Sequence, residues 1–194
     1  VDAYLLSADG RRLVYNARLS QQASDVYAVP ADGSAPPRML NPPAPHPANL
    51  LPLALTPSAD RVLYQGWPET QFVTELFSVP FDGSELPVKI SGPLVTGGNV
   101  RSAGLSPDGT WVVFQADKLR DEVFELFSVP LDGHLPPLRE NQDLAPFGSA
   151  GSFQFSPDSR AVTYLARQDT SAQELYLSFL LTQPTGSKKR SGPP

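Results

Sequence analysis

The hydrophobic pattern of this chain is a series of short β-branched and aromatic runs punctuated by Pro, Gly, Asp and Ser. In "WVVFQA" (Trp111–Ala116) four apolar side chains stand in succession; in "FELFSVP" (Phe124–Pro130) Leu126 falls on one face and Phe127 and Val129 on the other. Runs of this length and composition predict strands. A strand with one wet face alternates apolar and polar residues. These do not, so both faces are expected to be covered. No segment keeps helical periodicity over three turns, which excludes a helical solenoid.

The runs recur. "ELFSVPFDG" (Glu75–Gly83) returns as "ELFSVPLDG" (Glu125–Gly133), and the shorter "VPADG" (Val29–Gly33) stands about fifty residues upstream. A second element keeps the same step: "SADG" (Ser7–Gly10), "TPSAD" (Thr56–Asp60), "SPDG" (Ser106–Gly109) and "SPDS" (Ser156–Ser159). A fixed period of this size marks a repeat architecture. The third copy predicts four strands: Val100–Leu105, Trp111–Ala116, Phe124–Pro130 and Pro136–Glu140. Pro presets φ and Gly takes positive φ in the turns between them, and the repeated Ser, Thr and Asp are expected to hold nearby backbone. Small four-stranded sheets covered on both faces by their neighbours make a β-propeller. The blades are expected at about 1–43, 50–93, 100–140 and 150–183, within a propeller spanning 1–183, followed by a polar tail over 184–194. The fourth copy is incomplete: "ELYLSFLLTQPTG" has no "VPxDG" and no clear last strand. A piece of a larger propeller, a small four-bladed ring closed by Ser178–Gln183 or another segment, and an open arc whose edges pair with another chain all fit this pattern.

"SPDGTWVVFQAD", "ELFSVPLDG" and "ISGPLVTGGNVRSAGLSPDG" resemble the PD40 or TolB-like propeller repeat, over almost the whole chain from Val1 to about Leu181. That repeat occurs in the periplasmic translocation protein TolB and in the propeller domains of prolyl-oligopeptidase-type serine peptidases. The resemblance implies the fold and usually six or more blades. It leaves function open, because many unrelated proteins carry the repeat. In the peptidases the catalytic triad sits on a separate hydrolase domain, for which this chain has no room.

Composition narrows the chemistry. The net charge of -5 argues against a nucleic-acid backbone as partner, since phosphate binding needs clustered Lys and Arg. The basic cluster Lys188–Arg190 reads as a solvated end. No stretch reaches the ~20 apolar residues of a membrane-spanning helix. With no cysteine, disulfides, thiolate zinc sites and Cys nucleophiles are excluded. The chain starts at Val1 rather than Met, so something upstream is expected to have been cleaved, trimmed or left out, and a signal peptide there would leave no trace in this sequence. The twenty-two prolines agree with a loop-rich β protein.

A nucleophile needs a base beside it. His46 and His134 both fall in loops, and no G-x-S-x-G motif is present. No catalytic residue and no cofactor are therefore expected. Asp117, Asp121 and Glu122 in "ADKLRDEVFE" are weak calcium candidates, since oxygen ligands at short spacing suit that ion. Lys118 and Arg120 among them favour a salt-bridged loop. Glu75, Glu125, Glu174 and Asp25 recur at the start of the third strand and read as hydrogen-bond partners for loop backbone or a neighbouring blade. The long connections Leu40–Pro52, Ser91–Val100 and Asn141–Ser152 gather with the loops that carry Trp67, Phe72 and Phe124. These aromatics and His46 are the candidate partner-binding residues, because aromatics dominate interface hot spots. The expectation is a non-enzymatic propeller for protein-protein interaction or assembly, with another protein, a larger assembly or a second copy at its open blade edges as partner. The TolB resemblance places it in the periplasm or outside the cell. The alternative is the accessory propeller of a larger enzyme.

Overall fold

The computed structural model describes residues 1–20, 23–45, 48–169 and 172–180. Among them every regular element is a strand. The first sheet is β1 (Tyr4–Leu6), β2 (Arg12–Ser20), β3 (Ala23–Pro30) and β4 (Arg38–Met39); the second is β5 (Leu51–Leu55), β6 (Arg61–Gly66), β7 (Glu75–Pro80) and β8 (Val88–Lys89). The third is β9 (Val100–Leu105), β10 (Trp111–Ala116), β11 (Glu125–Pro130) and β12 (Leu138–Arg139). The fourth has three strands among the described residues, β13 (Ala150–Phe155), β14 (Ala161–Ala166) and β15 (Glu174–Phe179). Each sheet is an antiparallel meander in chain order. The outer strands are two residues long, shorter than the Pro136–Glu140 expected, because the prolines that precede them cannot donate to a ladder.

The first turn of every blade is built by a hydroxyl and a carboxylate. Ser106 Oγ donates to Asp108 Oδ1 at 2.6 Å and accepts from the Trp111 amide at 2.9 Å. Ser7 and Asp9 in the first blade, and Ser156 and Asp158 in the fourth, do the same. In the second blade Thr56 Oγ1 donates to Asp60 Oδ1 at 2.5 Å. The turns require positive φ, supplied by Gly10 and Gly109 but by Ala59 and Ser159 in the other two blades.

The second and third strands carry the core. In β10 and β11 nearly every side chain is buried, as the lack of alternation predicted. Phe114 lies opposite Phe127 and stacks on it with ring centroids 5.5 Å apart. Tyr15–Tyr27, Tyr64–Phe77 and Tyr164–Tyr176 occupy the same register in the other blades.

The chain divides into two compact units, residues 1–92 with 131–136 and residues 93–130 with 137–194. Within the first, Val14 and Val26 pack with Leu50, Val62 and Tyr64. Asn16 Nδ2 also donates to the Leu50 carbonyl of the second blade at 3.2 Å. Within the second unit, Val113 and Leu126 pack with Ala150, Val162 and Tyr164. There Gln115 Nε2 donates to the Ala150 carbonyl, and buried Glu140 accepts from Ser128 at 2.6 Å and from Ser178 of the fourth blade. Apolar burial and one side-chain amide thus join consecutive blades in each unit.

Two outcomes follow from the turns. Ser106→Ala removes a buried hydroxyl that serves two partners, and should cost about 1–2 kcal/mol in chemical denaturation. Hydrogen bonds from Ser7, Thr56 and Ser156 hold the carboxyls of Asp9, Asp60 and Asp158 below the ordinary 3.8. A folded pKa below the unfolded value gives stability that is complete above about pH 4 and lost as pH falls through the lowered values. Thermal melts from pH 6 to pH 2 should show Tm falling only in the acid part of that range.

Candidate functional site

Of the aromatics expected at a partner surface, Trp67 and Phe72 lie in the β6–β7 loop of the first unit. Trp67 is half-buried against the core, and its ring is tilted over Phe72 with centroids 5.9 Å apart. Phe72 is 69% exposed and takes a positive φ of 64°. Trp67 therefore anchors the loop, while Phe72 projects from it. In the second unit Phe124 is half-buried, with the Arg101 guanidinium over its ring at 5.0 Å. His46 lies outside the described residues, as do Lys188–Arg190 and the rest of 181–194.

Two further features sit on the first unit. Pro42, Pro43, Pro45, Pro68 and Pro87 surround a cleft of about 280 Å³ that reaches Tyr64 and Phe77. That volume is just under the range of ordinary small-molecule pockets, roughly 300–1,000 Å³. At the start of β7, Glu75 is buried and its Oε1 is 3.0 Å from Lys89 Nζ, which also holds Glu69 at 2.6 Å. Its Oε2 is buried without a hydrogen-bond partner. Burial raises the Glu75 pKa despite the lysine.

The recurring acids were expected to hold loop backbone or a neighbouring blade. For three of them the partners are instead side chains of their own blade's outer strand or the residues just after it, while Glu174 accepts from the Tyr176 hydroxyl of its own strand at 3.1 Å. Glu75 pairs with Lys89, Glu125 with Arg139 at 2.9 Å, and Asp25 accepts from Asn41 Nδ2 at 2.9 Å. The meander places the outer strand beside the third, a proximity that spacing alone does not reveal. The structural reading stands with a different partner.

The calcium candidates do not form a ligand set. Asp117 is buried, and its two oxygens accept from the Asn99 and Glu122 amides at 2.5 and 3.1 Å. That fastens the β8–β9 connection to the β10–β11 loop. The Asp121 carboxylate lies against Gly97, where a Cβ would come within 2.7 Å of it. Glu122 is exposed at positive φ. Among the described residues no group of three acids or histidines is placed to hold a metal ion. His134 lies 2.5 Å from Asp132 in an exposed turn.

Three exposed side chains escaped the sequence reading. Phe147, in the β12–β13 connection, is fully exposed with a φ of 60°. The equivalent position of the preceding repeat is Gly97, with a φ of 86°. Setting "APFGS" beneath "VTGGN" would have found it. Leu175 and Phe179 on β15 are 53% and 48% exposed. Their counterparts in the third blade, Leu126 and Pro130, are buried. On the same face Leu165 and Leu177 stand where that blade has Gln115 and Ser128.

A bulky residue in the left-handed region costs roughly 1 kcal/mol, and the Phe147 ring buries nothing in return. Phe147→Gly should therefore raise Tm by a few degrees in calorimetry; a fall would show that the ring supports its loop.

The fold is similar to several solved structures. One is a protein designated TolB from Agrobacterium tumefaciens, at 18% identity and a TM-score of 0.60, covering 93% of this chain and 61% of that one. Another is oligopeptidase B from Trypanosoma brucei, at 12% identity and a TM-score of 0.59, covering 96% of this chain and 26% of that one. A third is a puromycin-hydrolyzing peptidase from Mycobacterium tuberculosis, at 16% identity and a TM-score of 0.55, covering 90% of this chain and 29% of that one. The chain thus spans less than two thirds of each. No protein-family model and no curated protein matches it. In fold the chain is an all-β array of propeller blades, structurally similar to TolB and to the propellers of prolyl-oligopeptidase-type peptidases.

Proposed function

We propose that this chain is a non-enzymatic propeller module that works by protein-protein assembly through uncovered blade faces. The observation that carries the reading is the outer face of the fourth blade. Leu165, Leu175, Leu177 and Phe179 stand together on one side of β14 and β15, none of them buried. The matching face of the third blade is buried and contributes Gln115 and Ser128 to polar contacts. An apolar sheet face of this kind marks an interaction site.

The first blade supplies a complement. Its Tyr4, Leu6 and Met39 are exposed, and the stacked pair Tyr15–Tyr27 is only half-buried, where the pairs of the other blades are buried. The partner is a protein with such a face, and a second copy of this chain provides one. The contact would be heterologous, one copy's last blade on another's first. Rigid sheets lose little entropy on docking. The periplasmic or extracellular setting rests on the TolB resemblance.

A second reading is the accessory propeller of a larger enzyme. It is favoured by the peptidases among the similar structures, of which this chain covers under a third.

Light scattering over a concentration series tests the assembly reading. Mass should rise with concentration, and Phe179→Asp should weaken association at least about ten-fold, the size of a modest hot spot. A chain that stays monomeric throughout, with Phe179→Asp indistinguishable from it, sinks self-assembly. Turnover of a fluorogenic peptide above the buffer rate would overturn the non-enzymatic reading.

A further inference from the structure

We infer that Asp132–Gly133 is a modification site, where the aspartate side chain closes onto the main chain as a succinimide and reopens as an isoaspartyl linkage, with His134 as the proton donor. The turns of this repeat place a glycine directly after Asp9, Asp32, Asp82, Asp108 and Asp132. Glycine has no side chain to hinder attack by its nitrogen on the carboxyl before it. In all five turns the carboxyl accepts from the amide two residues on. That bond folds it back over the glycine between them.

Two features separate Asp132 from the other four. The first is the attacking nitrogen. The amides of Gly10, Gly33, Gly83 and Gly109 donate to backbone carbonyls at 2.9, 3.2, 3.0 and 2.9 Å. The Gly133 amide has no such acceptor among the described residues. The second is an acid beside the leaving oxygen. His134 Nδ1 lies 2.5 Å from Asp132 Oδ1, and none of the other four turns has a histidine after its glycine. Both side chains are more than half exposed, so water reaches them.

Burial raises the Asp132 pKa and the His134 hydrogen bonds lower it, to a net value below the ordinary 3.8. The carboxyl is therefore ionised at neutral pH, and its oxygen needs protons before it can leave. Protonated His134 gives one to Oδ1, the general-acid role that suits an imidazole. The Gly133 nitrogen bonds to the Asp132 Cγ, and the C–O bond breaks. The oxygen departs as water with the proton from His134 and the proton from the Gly133 amide. A second water then opens the ring at the main-chain carbonyl, which leaves Gly133 joined through Cγ. One water is lost and one gained, so the mass is unchanged. The new linkage adds a carbon to the main chain of a crowded turn: Gly133 has a φ of 71°, and a Cβ on it would come within 2.7 Å of Val88. The modified turn loses its seat on Val88 and Ile90.

Ageing the intact, folded chain in heavy-oxygen water tests this, with peptide mapping and labelling by an isoaspartyl methyltransferase. The Asp132 peptide should take up one heavy oxygen, and become a substrate for the methyltransferase, at least about ten-fold faster than the Asp9, Asp32, Asp82 and Asp108 peptides. His134→Gln alters an exposed side chain and keeps a hydrogen-bond donor there without a transferable proton. It should bring Asp132 down to the rate of the others. In concentrated urea the five rates should converge. Equal rates in the folded chain overturn the inference, as does a fast Asp132 in His134→Gln. A ranking that persists in urea also overturns it, by assigning the difference to local sequence.

Discussion

The interaction on which this structure depends is the aromatic pair facing itself across the second and third strands of each blade. Tyr15–Tyr27, Tyr64–Phe77, Phe114–Phe127 and Tyr164–Tyr176 all stack with centroids between 5.3 and 5.6 Å apart. Aromatic rings bury large area and add specific geometry, and a pair at fixed register opposes strand slippage, which would carry one ring to the wrong face. From the second blade on, each pair is buried. The first pair meets the same geometric demand on an uncovered face, which makes it part of a surface.

Polar groups then decide how the blades are joined and finished. Asn16 and Gln115 occupy one place in the repeat and reach the Leu50 and Ala150 carbonyls where the next blade begins; Leu165 occupies that place in the fourth. A buried amide needs a partner and a leucine needs only cover. The last blade therefore presents an apolar side chain where its predecessor presents an amide. Glu75 and Glu125 turn inward to their own sheets, where each pairs with a cation of the outer strand, so their recurrence reflects how a blade is closed.

Much of this was legible from spacing. The duplicated "ELFSVPxDG" located β7 and β11, and the Ser-Asp elements located the first turns, because turn chemistry is local and a repeat displays it several times over. The missing alternation in Trp111–Ala116 foretold burial on both faces. The candidate surface was less legible. Trp67 was chosen for its residue type and turned out to anchor a loop, whereas Phe147 lay in a connection where only its offset from Gly97 sets it apart. Asp117 was a weak ligand candidate in a loop expected to be salt-bridged; its oxygens serve two backbone amides that chain proximity does not announce.

The sequence by itself determined the blade: the turn residues, the order of its strands and the period. Each is set by contacts within about fifty residues and is written again in every copy. Only the tertiary structure decided which copies are covered. Leu126 and Leu175 are the same residue at the same place in the repeat; one is fully buried and the other 53% exposed. Burial belongs to the neighbour that packs against a side chain, and no residue's own type records whether that neighbour is there.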